Sequence, residues 1–162
     1  MIKIGLLSDT HNFVLPQAAD FFSSCNEIWH AGDIGNYEVI QKLREIKPVK
    51  AVYGNIDGQD IRCEFPEFQC FKAEDITVLM IHIGGYPGKY DKYAYSLIQK
   101  YQPTIFISGH SHILKVINDP KNNLLHINPG AAGKYGFQQK KTMIRFNIDK
   151  AKISDLEVFD CS

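Results

Sequence analysis

An alternation of short β-prone segments with amphipathic segments, at the start of the chain, is the feature that most restricts the fold. Residues 2–7, 27–31 and 48–53 are predicted strands, each short and followed by polar or glycine residues. Two predicted helices, residues 16–24 and 36–46, separate them, with Asn36 as a candidate cap. Because strands joined by helical crossovers usually lie parallel in one sheet, this part of the chain predicts a β-α-β-α-β unit.

The rest of the chain predicts mostly antiparallel strands. Residues 64–72 and 76–83 form a predicted hairpin, followed by a glycine-rich flexible loop at 84–88 and by a helix that Asp91 caps and Tyr101 ends. Further predicted strands cover residues 104–107, 113–117, 124–127, 142–148 and 152–159. About ten strands favour division into two packed sheets. We therefore expect an α/β fold of two mixed sheets with helices outside, in a single domain over residues 1–162.

Composition excludes several classes of protein. Lys and Arg together number 18, as do Asp and Glu, so no overall basic charge favours nucleic acid or an anionic membrane. No run approaches the roughly 20 apolar residues of a membrane span. The four cysteines form no CxxC pair and indicate reduced thiols. These observations predict a cytoplasmic protein without a membrane anchor or a clear nucleic-acid surface.

Residue types that bind metals follow five of the predicted strands. Seven candidate ligands lie there: Asp9, His11, Asp33, Asn55, His82, His110 and His112. In open α/β sheets, ligands bind beyond the carboxyl ends of the strands, so these side chains are expected to meet at one edge. Taken singly, an Asp-x-His can begin a helix and a histidine in an apolar strand can be a core residue. The joint pattern favours a metal site.

The ligand set predicts two divalent ions that share a carboxylate, because seven ligands exceed the four of a tetrahedral zinc site. Imidazole with carboxylate favours manganese, iron, zinc or nickel over calcium and magnesium, and manganese is the expected metal. Two ions about 3.5–4 Å apart lower the pKa of a bridging water, supply hydroxide at neutral pH and neutralise phosphoryl oxygens. Two histidines fall outside this set: His30 is predicted to be buried or to support a ligand, and His126 receives no role.

These motifs resemble those of the calcineurin-like metallophosphoesterases. They read Asp9-Thr10-His11, Gly32-Asp33, Gly54-Asn55-Ile56-Asp57, His82 and Gly109-His110-Ser111-His112, and Asn128-Pro129-Gly130 resembles a segment of the small YfcE-type phosphodiesterase subgroup. The resemblance implies a four-layer α/β-β/α sandwich. It also implies a first ion held by Asp9, His11, Asp33 and His112, and a second held by Asp33, Asn55, His82 and His110. Asp33, Asn55 and His82 would serve catalysis through the activated hydroxide and the orientation of the phosphate.

The sequence departs from the family pattern at two positions. Many members have histidine in the third motif, where it is thought to protonate the leaving group, and Ile56 stands there. Members of the small subgroup often carry a second histidine after the ligand, whereas His82 is followed by Ile83-Gly84-Gly85. The general acid is therefore not identified. Asp57 is a weak candidate for it, and the alternatives are that Asp57 supports a ligand or only forms a turn.

Two functions from different classes remain open. The first is a phosphoesterase acting on a small phosphate ester, with phosphodiesters preferred to monoesters because no arginine lies in the motif loops, unless Arg44, Arg62 or Arg145 folds in. The second is an inactive or weakly active scaffold for protein–protein interaction, as in a retromer subunit that resembles these enzymes. There asparagine replaces the histidine of the Asp-x-His motif, so His11 favours the enzyme. A protein phosphatase is disfavoured by the missing third-motif histidine, and a homo-oligomer stays open.

The loop after His82 is a candidate rim over the metals. Tyr86, Tyr90 and Tyr93 lie in it or just beyond it and offer rings for stacking on a base or an aryl ester. The alternative is a surface loop followed by tyrosines on a helix face.

Overall fold

The computed structural model describes residues 1–137 and 140–161. In that part of the chain the strands are β1 (Ile2–Leu7), β2 (Glu27–His30), β3 (Val49–Ala51), β4 (Phe68–Ala73), β5 (Ile76–Ile81), β6 (Gly85–Tyr86), β7 (Lys89–Tyr90), β8 (Ile105–Ile107), β9 (Leu114–Asp119), β10 (Leu124–Pro129), β11 (Lys141–Asp149) and β12 (Lys152–Cys161). The helices are α1 (Ala18–Phe21), α2 (Tyr37–Ile46), α3 (Gln59–Glu64) and α4 (Lys92–Tyr101). No helix among these residues is both long and apolar enough to cross a membrane.

The first sheet carries the predicted β-α-β-α-β unit. Its strand order is β12-β11-β1-β2-β3, with β1, β2 and β3 parallel and β11 antiparallel to β1. The last residue of β1, Leu7, pairs with His30 at the end of β2, and His30 pairs with Ala51 at the end of β3. The three carboxyl ends are therefore level, so the loops that follow them start side by side.

The second sheet also has a parallel centre, although the sequence predicted mostly antiparallel strands here. The reason is that α4 crosses over between β5 and β8, and β9 separates β8 from β10 along the chain. Its order is β4-β5-β8-β10-β9, in which β5, β8 and β10 are parallel and the outer strands β4 and β9 are antiparallel to their neighbours. Ile107, at the end of β8, pairs with Met80 on one side and with Ile127 on the other. The loops after β5 and β8, which carry His82 and the last two candidate ligands, thus also leave from one edge.

Three apolar clusters define the layers. The central cluster joins residues of both sheets, including Leu6 and Trp29 from the first and Met80 and Ile107 from the second. The other two clusters lie between a sheet and its helices. Phe22, Ile40, Leu43 and Ile61 belong to the cluster on the first sheet, and Leu97, Ile98 and Phe106 to the one on the second. The predicted four-layer α/β-β/α sandwich is confirmed, whereas the single-domain organisation stays a prediction.

Four local predictions were wrong. The helix predicted over residues 16–24 is only the short α1. Residues 64–67 do not begin a strand, because Glu64 ends α3, a six-residue helix with one buried residue, too short to show a periodic pattern. The glycine-rich segment after His82 is not an open loop but pairs as the ribbon β6–β7. Asn36 precedes α2, but its side chain makes no cap hydrogen bond, and its backbone N–H donates to Oδ1 of Asn12 at 2.6 Å. The cap of α4 is confirmed, because Asp91 accepts from Ala94 N–H.

Candidate metal centre

The loops after the parallel strands of both sheets meet at one edge of the sandwich. Backbone bonds join them: Asp9 N–H donates to Gly32 O at 2.9 Å, His11 N–H to Asp33 O at 3.1 Å, and Gly109 N–H to His82 O at 2.9 Å. As a result, six of the seven predicted ligands fall into two groups whose ligand atoms lie within 4.8 Å of one another, namely Asp9, His11 and His112, and Asp33, His82 and His110.

The first group surrounds the buried carboxylate of Asp9. Its Oδ1 lies 3.2 Å from Nε2 of His112 and 3.8 Å from Nε2 of His11. The His11 nitrogen is also 3.5 Å from Oδ2 of Asp33. Three residues from two loops, one after β1 and one after β8, therefore direct one nitrogen or oxygen atom each to the same small volume, with Asp33 beside it.

The second group lies on the other side of Asp33. Oδ2 of Asp33 is 3.3 Å from Nε2 of His82. The seventh predicted ligand, Asn55, belongs to this side as well, because its Oδ1 lies 3.1 Å from Nδ1 of His110. Oδ2 of Asp33 thus faces both groups, which is the position that a bridging carboxylate needs.

Unpaired buried atoms show that a cation fits this centre. Oδ1 of Asp9, Nε2 of His11 and Nε2 of His82 are buried and have no hydrogen-bond partner in the described part of the chain. Buried polar atoms are almost always satisfied, so three unsatisfied ones facing one volume indicate a missing group. Carboxylate oxygens and imidazole nitrogens are the donors that bind divalent transition metals.

The protonation of the site suits a metal. The ring N–H at Nδ1 of His82 donates to Ala31 O at 2.8 Å, which leaves the lone pair of Nε2 directed at the carboxylates. Burial would raise the pKa of Asp9, but His11 and His112 outweigh it and hold that pKa well below its usual range. Burial would lower the pKa of His82, but the neighbouring carboxylates of Asp33 and Asp9 raise it in the metal-free protein. A metal ion therefore competes with a proton for Nε2 of His82.

The backbone at the ligands is strained. Five of the seven have a positive φ: Asp9 (53°), His11 (45°), Asp33 (56°), His110 (71°) and His112 (63°). L-residues rarely adopt this conformation, which costs about 1–3 kcal/mol at each position. So many strained residues at one edge are the pattern of a functional site, where the direction of the side chains matters more than local stability.

Two motif glycines permit the loops to approach closely. A Cβ at Gly54 would clash with the backbone nitrogen and carboxylate of Asp33, and a Cβ at Gly109 would clash with the side chains of Ser8 and Asp9. Any larger residue at either position would push a candidate ligand out of place.

Side chains behind the ligands fix their orientation. Oδ2 of Asp9 accepts from the Ser8 hydroxyl at 2.6 Å and from His110 N–H at 3.1 Å, so only its Oδ1 points into the centre. Asn128 donates to Gly109 O at 3.0 Å and holds the loop of the last motif. The spacing of residues along the sequence gave no signal for these bonds, apart from the resemblance of the Asn128 segment.

His30 is fully buried, as predicted, and lies between two of the motifs. Its Nδ1 accepts from Gly32 N–H at 3.1 Å, so its Nε2 carries the proton and donates to Thr10 Oγ1 at 3.0 Å. Thr10 in turn donates to Ile34 O. Burial lowers the pKa of His30 to about 3, which keeps the ring neutral and this chain of hydrogen bonds fixed. His126 lies away from the centre, buried and stacked on Phe106.

Asp57 is buried and binds only backbone donors. Its carboxylate accepts from Gly54 N–H at 2.7 Å, Gly35 N–H at 2.8 Å and Ile34 N–H at 3.2 Å. These donors belong to the loops that carry Asp33 and Asn55. Ile56, at the position of the family's third-motif histidine, is 46% exposed and has no group that transfers a proton.

The aromatic residues around the centre differ from the predicted rim. Of the three predicted tyrosines, only Tyr93 lines the cleft beside Asn55 and His82, while Tyr90 donates to Asp119 at 2.7 Å and Tyr86 stacks with Lys115. Two rings that the sequence analysis did not select lie closer: Tyr135 is 5.6 Å from the ring of His11, and Phe137 stacks on His112 at 6.4 Å.

Of the three arginines that could fold toward the centre, one does. Arg44 binds Glu64 and Arg145 binds Glu157, both at the surface. Arg62, however, folds onto the third-motif loop, where its guanidinium group contacts Asn55 O at 3.4 Å and Asp57 O at 2.6 Å. An arginine does therefore lie beside the centre.

Fold and cluster together define a metal-binding α/β sandwich, and comparison with known proteins places it in a family. The family model described as the calcineurin-like phosphoesterase superfamily domain matches residues 2–151. A probable metallophosphoesterase of Methanocaldococcus jannaschii is 34% identical over 134 residues, which cover 79% of this chain and 67% of the relative. The chain belongs to the calcineurin-like phosphoesterase superfamily, as its motifs predicted.

Solved structures share the fold. A novel archaeal phosphodiesterase superposes with a TM-score of 0.76 at 24% identity, covering 98% of this chain and 100% of that chain. Wild-type Vps29 of Entamoeba histolytica, in complex with Zn²⁺, superposes with a TM-score of 0.77 at 16% identity, covering 99% of this chain and 98% of that chain. At these identities the similarity to the two structures establishes the fold and not the activity of this chain.

Proposed function

We propose that this protein is a binuclear metal-dependent phosphoesterase that prefers phosphodiesters. The observation that carries the proposal is the position of Asp33, whose Oδ2 lies within 3.5 Å of His11 and 3.3 Å of His82, one from each group of candidate ligands. A carboxylate shared by two imidazole-rich groups suits two ions, not one. Membership of the superfamily and the archaeal phosphodiesterase of the same fold support the reaction class.

The proposed ligand sets follow the two groups. Asp9, His11, Asp33 and His112 would hold the first ion, and Asp33, Asn55, His82 and His110 the second. When bound, two divalent ions supply Lewis-acid activation of water and neutralise the charge of the phosphate oxygens. Manganese remains our expectation, with iron, zinc or nickel as alternatives, because the donors are imidazole and carboxylate.

The residues of this chain position the reaction. His82 is held in one tautomer by Ala31 O, and Asp9 is oriented by Ser8, so both present a fixed donor atom. We propose Asp57 as a positioning residue and not as the general acid, because both of its carboxylate oxygens already accept backbone N–H bonds that join two ligand loops. With Ile56 in the third motif, the enzyme is best suited to esters whose leaving group needs little protonation.

Hydrolysis of bis-p-nitrophenyl phosphate with added Mn²⁺ tests this function. We expect the wild type to hydrolyse the ester, and we expect His112→Ala and Asp33→Asn to reduce kcat/KM at least about a hundredfold, because each removes a ligand. Asp160→Asn is the matched control, since that carboxylate lies at the surface beside Lys140 and should keep wild-type activity. A wild type with full metal occupancy that is no faster than either ligand variant on any ester would refute the enzyme.

A non-catalytic scaffold is the second candidate. The likeness to Vps29 is compatible with it, and so is an apolar row at the edge of the second sheet, where Ile113, Leu114, Val116 and Ile117 are each 37–46% exposed. Strand β9 pairs with β10 on one side and forms the edge of the sheet on the other, and an edge strand with few charges is a ready site for association with another chain. The esterase assay separates the candidates, because a scaffold would bind metal without turnover.

A further inference from the structure

A cleft opens beside the second ligand group. Its lining includes two candidate ligands and residues of both charges: Asn55, His82, Tyr53, Arg62, Tyr93, Glu67 and Asp91. The cleft is therefore continuous with the metal centre and lies where part of a bound ester would extend beyond the scissile phosphate. Among these lining residues, Arg62 is the one with a permanent positive charge.

Arg62 is held in place without losing its charge. Nε donates to Asp57 O at 2.6 Å, one terminal nitrogen is 3.4 Å from both Gly54 O and Asn55 O, and the guanidinium stacks 4.4 Å from the ring centroid of Tyr53. Neutral carbonyls and an aromatic face orient a guanidinium but do not neutralise it. The side chain is thus prepositioned on the wall of the cleft.

No carboxylate in the described part of the chain lies within ion-pair distance of Arg62. The other two arginines of the sequence are paired, Arg44 with Glu64 and Arg145 with Glu157. Arg62 belongs to the exposed residues, so its remaining donors can reach a ligand. Although Glu67 and Asp91 line the same cleft, neither forms an ion pair with Arg62. A fixed guanidinium without an ion-pair partner suits recognition of an anion, and phosphate matches its geometry best.

Resting on the proposed phosphoesterase function, we propose that Arg62 binds a second phosphate of the substrate, carried by the alcohol portion of the ester. Asn55 sets the separation, because its carbonyl oxygen contacts Arg62 while its Oδ1 contacts His110. One residue thus lies between the guanidinium and the metal centre. The substrate class is a phosphodiester that carries an additional phosphate near the scissile one.

A matched pair of substrates tests the assignment. p-Nitrophenyl butyl phosphate and p-nitrophenyl 3-phosphonopropyl phosphate share a leaving group and differ in the second anion. Because a charge-assisted bond changes affinity by about tenfold to a hundredfold, we expect the wild type to favour the phosphonate by that factor, mainly in KM. Arg62→Met should remove the preference and Arg62→Lys should keep part of it. The control Arg44→Met, which breaks the ion pair with Glu64 on α3 without touching the cleft, should keep all of it.

Two kinetic results would overturn the proposal. Equal losses on both substrates in Arg62→Met would show that Arg62 only supports the third-motif loop. A loss confined to the monoester p-nitrophenyl phosphate would show that it binds the scissile phosphate instead.

Chemical labelling gives a readout that does not depend on turnover. Phenylglyoxal modifies accessible guanidinium groups, and mass spectrometry of peptides reports each arginine separately. We expect propane-1,3-diphosphonate to slow modification of Arg62 in the metal-loaded protein and to leave Arg145 unchanged. Protection of Arg62 without hydrolysis of any ester would refute the phosphoesterase function and still support an anion site at Arg62. Hydrolysis without protection would refute the anion site alone.

Discussion

Replacement of Asp57 tests whether this carboxylate positions two ligand loops or transfers a proton. In Asp57→Ala, three N–H groups lose their acceptor, two of them in buried bonds and the third in a partly buried one. Each unsatisfied donor costs about 1–3 kcal/mol, and water can still bind the partly buried N–H of Gly35. The free energy of unfolding should therefore fall by about 3–5 kcal/mol. In Asp57→Asn, an amide oxygen in place of Oδ2 keeps the bonds from Ile34 and Gly54 and loses the one from Gly35, at a cost of about 1–2 kcal/mol.

Thermal unfolding and a pH–rate profile together measure both roles. For a chain of this length about 2–4 °C of Tm corresponds to 1 kcal/mol, so we expect losses of about 6–20 °C for Asp57→Ala and about 2–8 °C for Asp57→Asn. The Asn variant, being folded, should keep the shape of the wild-type pH–rate profile. Loss of one limb of that profile, with Tm unchanged, would refute the positioning role and make Asp57 the general acid.

Three further predictions concern the metal centre. Removal of the metals by a chelator should lower Tm by about 10–20 °C, since two ions at about a hundred times their Kd contribute roughly 5 kcal/mol, and restoring Mn²⁺ should reverse the loss. The raised pKa of His82 means that its protonated form stabilises the metal-free fold below pH 6.5 and that this stabilisation is lost as pH rises through the folded-state pKa. Mn²⁺ affinity should therefore increase as pH rises through the folded-state pKa of His82, and binding should release a proton. Calorimetry in buffers of different ionisation enthalpy detects that proton. An affinity that does not change with pH would contradict the prediction. Gly109→Ala should lower stability by about 1–3 kcal/mol and weaken Mn²⁺ binding, because the new Cβ meets Ser8 and Asp9; wild-type affinity would refute that contact.

The sequence was sufficient for the features that depend on local pattern. Short apolar strands followed by polar residues predicted the parallel strands of the first sheet but not the parallel centre of the second. The carboxyl-end rule predicted that the loops after these strands would meet. Asp9 and His112 are 3.2 Å apart in space although they are far apart in the chain. The two-sheet division also followed, because it depends on the number of strands.

What escaped the sequence depends on packing between segments distant along the chain. No periodicity reports that Asp57 accepts from Ile34 and Gly35, which are more than twenty residues away, because those are tertiary bonds to backbone groups. The sequence left open which of three arginines lies beside the site. Helix α3 was too short to be recognised, and that helix directs the side chain of Arg62 onto the third-motif loop.

Anomalous diffraction from crystals of the protein loaded with Mn²⁺ tests the central claim most directly. We predict two anomalous peaks about 3.5–4 Å apart, with the carboxylate of Asp33 between them, His112 at the first and His82 at the second. Metal analysis of the same sample should give about two equivalents per chain. A single peak, or two peaks that do not share Asp33, would contradict the binuclear centre, and the absence of any peak after loading would remove the basis for the phosphoesterase.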